Sequence, residues 1–268
     1  MSDGDLFRLR SLLIQVNHAS IAVSGGVDSL TLAVAAHRFM PGRVEIYHAI
    51  SPAVPEEATL RVRRLAERER WTLSIFDAGE FGNGNYRRNP MNRCFYCKQG
   101  LYGSIAERSD LPIFSGTNVD DLQEYRPGLE AAHLYSVRHP FVECGIDKAG
   151  VRRVACELGL EHIAPLPASP CLSSRIETGI PIEPEILASI YHAEKVVSRR
   201  LFPRTVRCRV RSGGVAIELD RETLLRLESL VQDELKREIS NLFPNEIVPS
   251  SILFEEYRSG SAFVGEKP

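Results

Sequence analysis

Cysteine is scarce in this chain, six residues in 268. A disulfide-stapled secreted scaffold needs a far denser set, so these thiols are expected to be reduced and available for metal or sulfur chemistry. Charge of one sign is not in excess either. Lys plus Arg number 33 and Asp plus Glu 35, a formal net charge of −2, which argues against tight, sequence-blind binding of nucleic acid. Long hydrophobic runs are missing too. The longest largely apolar stretch, residues 30–36, falls far short of the ~20 residues of a membrane-spanning helix. No leader-like apolar segment accompanies the charged start at Asp3, Asp5, Arg8 and Arg10, so a cytoplasmic location is expected. Internal repeats and low-complexity tracts are also lacking. What remains is 43% apolar and 25% charged, apolar enough to bury a core and to exclude disorder.

The first half alternates strand-like and helix-like segments. Leu6, Leu9, Leu13 and Val16 fall at helical spacing across 6–16. Short strands are predicted at 20–23, 44–50, 71–76 and 111–115, with helices at 29–39, 55–70, 97–108 and 147–160. A Gly- and Asn-rich loop spans 79–92, and long loops in compact domains are often functional. This alternation predicts an α/β fold with a parallel sheet covered by helices. Pro165, Pro167 and Pro170 then mark a boundary, dividing the chain into domains of residues 1–168 and 169–268. The second domain reads as smaller and α+β: a long helix over 184–201, a hairpin, and a further helix from Arg221.

Ser24-Gly25-Gly26-Val27-Asp28-Ser29 lies between the first strand and the helix after it. Gly25 and Gly26 let the backbone turn tightly and bring N–H groups close to an anion. The helix N-terminus adds partial positive charge, and Ser24 and Ser29 add hydroxyl donors. Asp28 is a candidate holder of Mg²⁺. A glycine-rich turn with no ligand is the bland alternative. The sequence has no Gly-x-x-x-x-Gly-Lys-[Ser/Thr], so this is not a Walker-type loop. Further motifs follow: Cys94-Phe95-Tyr96-Cys97-Lys98, then Ser115-Gly116-Thr117-Asn118-Val119-Asp120-Asp121, then Glu124-Tyr125-Arg126-Pro127-Gly128. Pro170-Cys171-Leu172-Ser173-Ser174-Arg175, Gly179-Ile180-Pro181-Ile182 and Arg258-Ser259-Gly260-Ser261 complete the set.

The first loop resembles the pyrophosphate loop of the PP-loop ATP pyrophosphatases, a Rossmann-like superfamily. The whole set, in this order, is similar to the LarE family of ATP-dependent sulfur transferases, and the resemblance covers most of the chain. It implies an enzyme of nickel-pincer nucleotide synthesis. Such an enzyme uses Mg-ATP to adenylate a carboxylate of pyridinium-3,5-biscarboxylic acid mononucleotide, then replaces AMP with sulfur to give a thiocarboxylate. The resemblance assigns Ser24, Gly25, Gly26, Asp28 and Ser29 to the phosphates and Ala49 to Ser51 to the adenine. It assigns Gly116 and Thr117 to the nucleotide, and Asp121 and Arg126 to the substrate. A hexameric homo-oligomer follows from it as well, with a small pyridinium nucleotide as partner and no stable nucleic acid or membrane.

The sulfur source stays open at this level. In one LarE type a single cysteine, matching Cys171, gives up its own sulfur. In another, three cysteines hold a 4Fe–4S cluster carrying an extra sulfide. This sequence has all three, Cys94, Cys97 and Cys171, and soft thiolates suit iron–sulfur or zinc sites, so the cluster is favoured. A redox pair or half a zinc site is the plainer reading of Cys94 and Cys97. Arg175, close to Cys171 in sequence, is a candidate to lower the thiol pKa or to bind phosphate. Cys156 and Cys208 are expected in core packing, and Cys144 has no assigned role.

Arg207, Arg209 and Arg211 alternate along a predicted strand and share one face. With Gly213-Gly214 as a two-residue turn, Arg209 would face Glu218 and Arg207 would face Asp220. The other face, Cys208, Val210, Val215, Ile217 and Leu219, is apolar and expected to meet the core. Cross-strand ion pairs on a solvated hairpin would explain the arginines. So would a substrate-phosphate site of guanidinium forks, which the resemblance places at Arg207 and Arg209. Glu194 interrupts the apolar stripe Leu187, Ile190, Tyr191, Val197, Leu201. It is either an acidic active-site residue, as the resemblance implies, or a stripe-edge glutamate reaching solvent. The histidines show no metal spacing and read as structural or exposed. Competing functions are a PP-loop tRNA thiolase, disfavoured by the net charge and by the lack of a second Cys-x-x-Cys, and an amidating synthetase. A non-catalytic ATP sensor or cluster carrier is a third alternative.

Overall fold

The computed structural model describes residues 4–123, 126–244, 251–258 and 260–262. Glu124, Tyr125 and Ser259, which belong to two of the motifs above, lie outside the described residues. In chain order the elements are α1 (Asp5–Leu13), β1 (Ala19–Ala22), α2 (Val27–Phe39), β2 (Val44–Ile50), α3 (Glu56–Glu69), β3 (Leu73–Asp77), α4 (Gly84–Arg87) and α5 (Arg93–Ala106). They continue with β4 (Ile113–Phe114), α6 (Gly128–Leu134), α7 (Pro140–Glu143), α8 (Lys148–Glu157), α9 (Pro184–Leu201), β5 (Val206–Arg211), β6 (Gly214–Leu219), α10 (Arg221–Leu225), α11 (Ser229–Ser240) and β7 (Ile252–Glu256). The chain divides into two compact units, residues 1–83 with 92–169, and residues 84–91 with 170–268.

In the first unit four strands form a parallel sheet in the order β3-β2-β1-β4. All four residues of β1 are buried, as expected of a central parallel strand covered on both faces. Helix α2 is apolar around most of its circumference, and Val27 and residues 29–36 of it are all buried. It packs on β1 and against α1 and α8, which together close the main core. The order of strands reverses beside β1: β2 and β3 extend to one side and β4 to the other. Ligands of such sheets bind at the carboxyl ends of the strands at that reversal. Residues 24–29 leave β1 there.

In the second unit the sheet order is β5-β6-β7, with β5/β6 antiparallel and β6/β7 parallel. The apolar face, Cys208, Val210, Val215, Ile217 and Leu219, is buried as expected, and α9 packs on β5. The hairpin turn falls at Ser212-Gly213, one residue earlier than expected. Arg207 therefore pairs with Glu218, and Arg209 with Ala216. The reason lies at Gly214. Its φ is +131°, and a Cβ there would sit 2.5 Å from the Ser251 carbonyl oxygen, so this glycine serves the close approach of the chain leading into β7. The helix from Arg221 is broken into α10 and α11, and strand β7 was not foreseen.

Candidate functional site

The loop after β1 is shaped by its glycines and serines. Gly25 has φ +79°, and a Cβ on it would lie 2.6 Å from the Ala58 carbonyl oxygen of α3. No other residue fits there without moving backbone. Ser24 N donates to Ser29 Oγ at 3.1 Å, and Ser29 Oγ donates to the Gly26 carbonyl at 3.2 Å. Gly26 caps α2 without any side-chain hydrogen bond, which leaves first-turn N–H groups available to an anion. Arg61 Nε donates to the Gly25 carbonyl at 2.9 Å, and burial lowers the pKa of this guanidinium.

The segment after β4 closes on this loop. A Cβ on Gly116 would lie 2.7 Å from Ser29 N, so the backbone of 116 must run bare against the start of α2. Thr117 and Ser115 share a hydrogen bond of 3.0 Å between hydroxyls, and Ser115 also meets His139 Nδ1 at 2.8 Å. Asp28 is held on both oxygens. Asn118 Nδ2 donates to Oδ1 at 3.2 Å and Lys148 Nζ to Oδ2 at 2.5 Å. Asp121 accepts from Asn118 N at 3.1 Å and pairs with Arg126 at 2.7 Å, so those two candidates stand together.

Ala49 is near the end of β2 and Ser51 just beyond it, both half-buried. The Ser51 side chain hydrogen-bonds the carboxyl of Glu80, a residue whose pKa burial pushes up. Among the described residues Glu80 Oε2 is buried without a partner. Sequence reasoning named none of Arg61, Glu80, Asn118 and Lys148 as site residues. Asn118 was visible inside its motif. Arg61 and Lys148 meet the loop, and Glu80 meets Ser51, only through contacts distant in sequence.

Helix α5 starts at Arg93 rather than at residue 97. Both Cys94 and Cys97 therefore lie in its first turns, three residues apart on one face. Each is half-buried and free of disulfide. Arg93, the first residue of α5, is buried. Among the described residues, no three His, Cys, Asp or Glu side chains form a group that could hold a metal ion. Cys94 and Cys97 belong to the first unit and Cys171 to the second.

Cys171 is exposed and precedes a short 3-10 turn, Leu172–Arg175. Arg175 is buried beneath it. Its Nε and Nη2 meet the two carboxylate oxygens of Glu194 at 2.9 and 3.2 Å. Its Nη1 donates to the Pro170 carbonyl at 2.7 Å and to the Cys171 carbonyl at 3.2 Å. Glu194 Oε1 also accepts from Cys208 N at 3.0 Å. The fork thus ties the Cys171 backbone to α9 and β5. Segment 84–91 secures the far side: Tyr86 bonds Ser173 at 2.6 Å, and Asn89 Nδ2 donates to the Glu177 and Ile180 carbonyls, each at 2.9 Å.

The arginines of β5 have different partners. Arg209 is buried and gives Nε to Glu218 at 2.9 Å and Nη1 to the Ser174 carbonyl at 2.8 Å. Arg211 meets both Glu218 at 2.9 Å and Glu255 at 2.6 Å. Fully buried Glu218, which also accepts from the Ser261 hydroxyl, organises both. Arg207 is half-buried, with its guanidinium 5.9 Å from the Tyr257 ring centre. Burial first, and the neighbouring Arg175 second, press its pKa below the ordinary value. Cys208 is in the core, where burial raises its thiol well above the usual range. Cys156 is not. It lies exposed on α8, whose buried stripe is Gly150, Val151, Val154 and Ala155.

No family model matches this chain. Among curated proteins, the uncharacterized protein slr1717 of Synechocystis is 33% identical over 265 residues, covering 97% of each chain. The pyridinium-3,5-bisthiocarboxylic acid mononucleotide synthase of Lactiplantibacillus plantarum is 27% identical over 239 residues, 87% of this chain and 86% of that one. The uncharacterized protein MJ0830 of Methanocaldococcus jannaschii is 26% identical over 204 residues, 75% of this chain and 77% of its own.

Proposed function

Because the chain belongs to the family of Synechocystis slr1717 and is related over most of its length to a pyridinium-3,5-bisthiocarboxylic acid mononucleotide synthase, we propose that it is an ATP-dependent sulfur transferase of nickel-pincer nucleotide synthesis. The observation that carries the reading is the loop at 24–29. It has a bare helix N-terminus, a glycine that only backbone can pass, and a carboxylate beside it. The mononucleotide carboxylate attacks the α-phosphorus of ATP, and the bond to pyrophosphate breaks. Backbone N–H groups and the Ser24 and Ser29 hydroxyls hold the departing pyrophosphate charge. Asp28, a hard oxygen donor beside the phosphates, suits Mg²⁺, which is commonly held by one or two carboxylates plus phosphate. Mg²⁺ there would neutralise phosphate charge.

Adenylation converts a carboxylate that resists nucleophiles into an acyl group with AMP as leaving group. Where the sulfur is Cys171's own, its thiolate attacks the acyl carbon, AMP departs with the bonding pair, and loss of the Cα proton then breaks the Cβ–Sγ bond, leaving thiocarboxylate on the substrate and dehydroalanine in the chain. Cys171 is exposed while its backbone is fixed by Arg175, which suits a sulfur that must meet substrate in a defined place. Arg207, half-buried on β5, is a candidate for a substrate phosphate, and Arg209 is held by Glu218. Cys94 and Cys97, two soft thiolates in one helical turn, are the residues of the first unit that would hold an iron–sulfur cluster. A 4Fe–4S cluster held there would supply an exchangeable sulfide in place of the cysteine's own sulfur.

The test is pyrophosphate release from ATP with the pyridinium dicarboxylate nucleotide or with tRNA as acceptor. Release with the first alone is expected; release with tRNA alone overturns the reading. Anaerobic purification with iron and sulfide analysis, followed by intact-mass measurement after turnover, separates the sulfur sources. Iron with unchanged mass is expected, and loss of one H₂S without iron assigns the sulfur to Cys171 itself.

A further inference from the structure

Two hydroxyls and one imidazole form a chain beside the glycine loop. Thr117 Oγ1 lies 3.0 Å from Ser115 Oγ, and Ser115 Oγ lies 2.8 Å from His139 Nδ1. Backbone pairing holds these residues in place. Arg138 N donates to the Ile113 carbonyl at 2.8 Å and Ser115 N to the Arg138 carbonyl at 3.0 Å, which seats His139 next to the end of β4. Ser115 is buried, and Thr117 and His139 are half-buried. Thr117 follows Gly116, whose backbone runs against Ser29 N at the start of α2.

A hydroxyl carries one hydrogen, so two hydroxyls bonded in series must both point the same way. With Nδ1 bare, Ser115 donates to the ring and Thr117 donates to Ser115, which leaves Thr117 only lone pairs for a ligand. With a hydrogen on Nδ1, the ring donates to Ser115 and Ser115 donates to Thr117, which frees the Thr117 hydrogen. Burial, the largest influence on this ring, disfavours its charged form, as does Lys98 on α5; Glu143 on α7 and Asp121 act the other way. The neutral ring has two tautomers, and an anion at Thr117 favours the one with hydrogen on Nδ1. We propose that His139 is a positioning residue of the nucleotide site, directing the hydroxyl chain so that Thr117 donates to an anionic oxygen of bound ATP. The inference rests on the ATP reading of the loop, and it adds a residue that the motifs do not contain.

Nuclear magnetic resonance of the full chain, ¹⁵N-labelled at histidine, reads the tautomer directly; the signal of His139 is the one missing from His139→Asn. Hydrogen on Nδ1 in the Mg-ATP complex is expected, and a bare Nδ1 there overturns the proposal. Calorimetry then measures what the chain is worth. His139→Leu is expected to weaken Mg-ATP about tenfold, as for one lost hydrogen bond to a charged group. His139→Asn, whose amide can donate in place of Nδ1–H, recovers part of that loss. With Thr117→Val already in place, His139→Leu adds less than about twofold, because the two act as one unit. Unchanged affinity in His139→Leu overturns the proposal. So does an equal loss with and without the Thr117 hydroxyl, which makes His139 a packing residue. Each of these leaves the loop as an ATP site, whereas absence of Mg-ATP binding by the parent chain defeats the ATP reading itself.

Discussion

At the scale of single residues, the site depends on atoms that are missing as much as on those present. Gly25 and Gly116 leave room for backbone at 2.6 and 2.7 Å from where a Cβ would stand. Gly25→Ala meets both that clash and a left-handed φ, which alone costs about 1–2 kcal/mol. The expected outcome is ATP affinity reduced at least about tenfold, measured by calorimetry. Unchanged affinity would show that the loop does not hold the phosphates. Arg175 acts through its neighbour's backbone. Its guanidinium is given to Glu194 and to the carbonyls of Pro170 and Cys171. Glu194→Gln keeps the shape and loses the charge, so sulfur transfer should fall while pyrophosphate release persists, as read by separate assays of the two products. Equal loss of both would move Glu194 to the first step. The residues of the glycine loop were legible because a turn, a helix start and hydroxyl donors are local. Lys148 and Arg61, which reach the loop from other elements, and Glu80, which meets Ser51, were not.

At the scale of elements, the hairpin shows where sequence spacing misleads. Alternation along 206–211 identified the buried and arginine faces, because side chains alternate by backbone geometry. The register slipped because Gly213-Gly214 offers two possible turns, and β7, which decides between them by crowding Gly214, has no local signature strong enough to be foreseen. The slip altered the partners: Glu218 pairs in register with Arg207 yet its carboxylate binds Arg209 and Arg211. Removing one partner of a buried ion pair costs about 3–5 kcal/mol. Glu218→Gln, which keeps a hydrogen-bond acceptor, is expected to lower denaturant stability toward the lower end of that range, about 3 kcal/mol. A loss below about 0.5 kcal/mol, the level of an exposed pair, would contradict the buried assignment. Cys156 was misjudged for a similar reason: apolar neighbours in sequence do not fix which side of a helix faces the core, and α8 turns this residue outward.

At the scale of the whole molecule, fold class was legible because strand and helix periods alternate, and β1, buried at all four residues, is a central parallel strand. The excursion of residues 84–91 into the second unit was not, since its anchors Tyr86 and Asn89 find partners about 90 positions away. Among the described residues no helix is long and apolar enough to cross a membrane. Buried His48 links stability to pH. Its ring nitrogens meet the Val23 carbonyl and the Thr59 hydroxyl, and burial lowers its pKa from the ordinary 6.5. Burial acts on His139 in the same direction. Such groups bind fewer protons folded than unfolded, so their stabilisation is complete above pH 6.5 and is lost as pH falls through the lower folded value. Thermal unfolding should show a midpoint that declines below pH 6.5. Replacing His48 by Gln should flatten part of that decline. A midpoint rising on acidification would reverse the sign and contradict the assignment.

The most direct test of the central claim is mass spectrometry of the pyridinium nucleotide product made by the parent chain and by Cys171→Ser, with pyrophosphate counted in the same reactions. The account predicts thiocarboxylate from the parent, and pyrophosphate without thiocarboxylate from the variant. Thiocarboxylate formed at the parent's rate with serine at position 171 would contradict it.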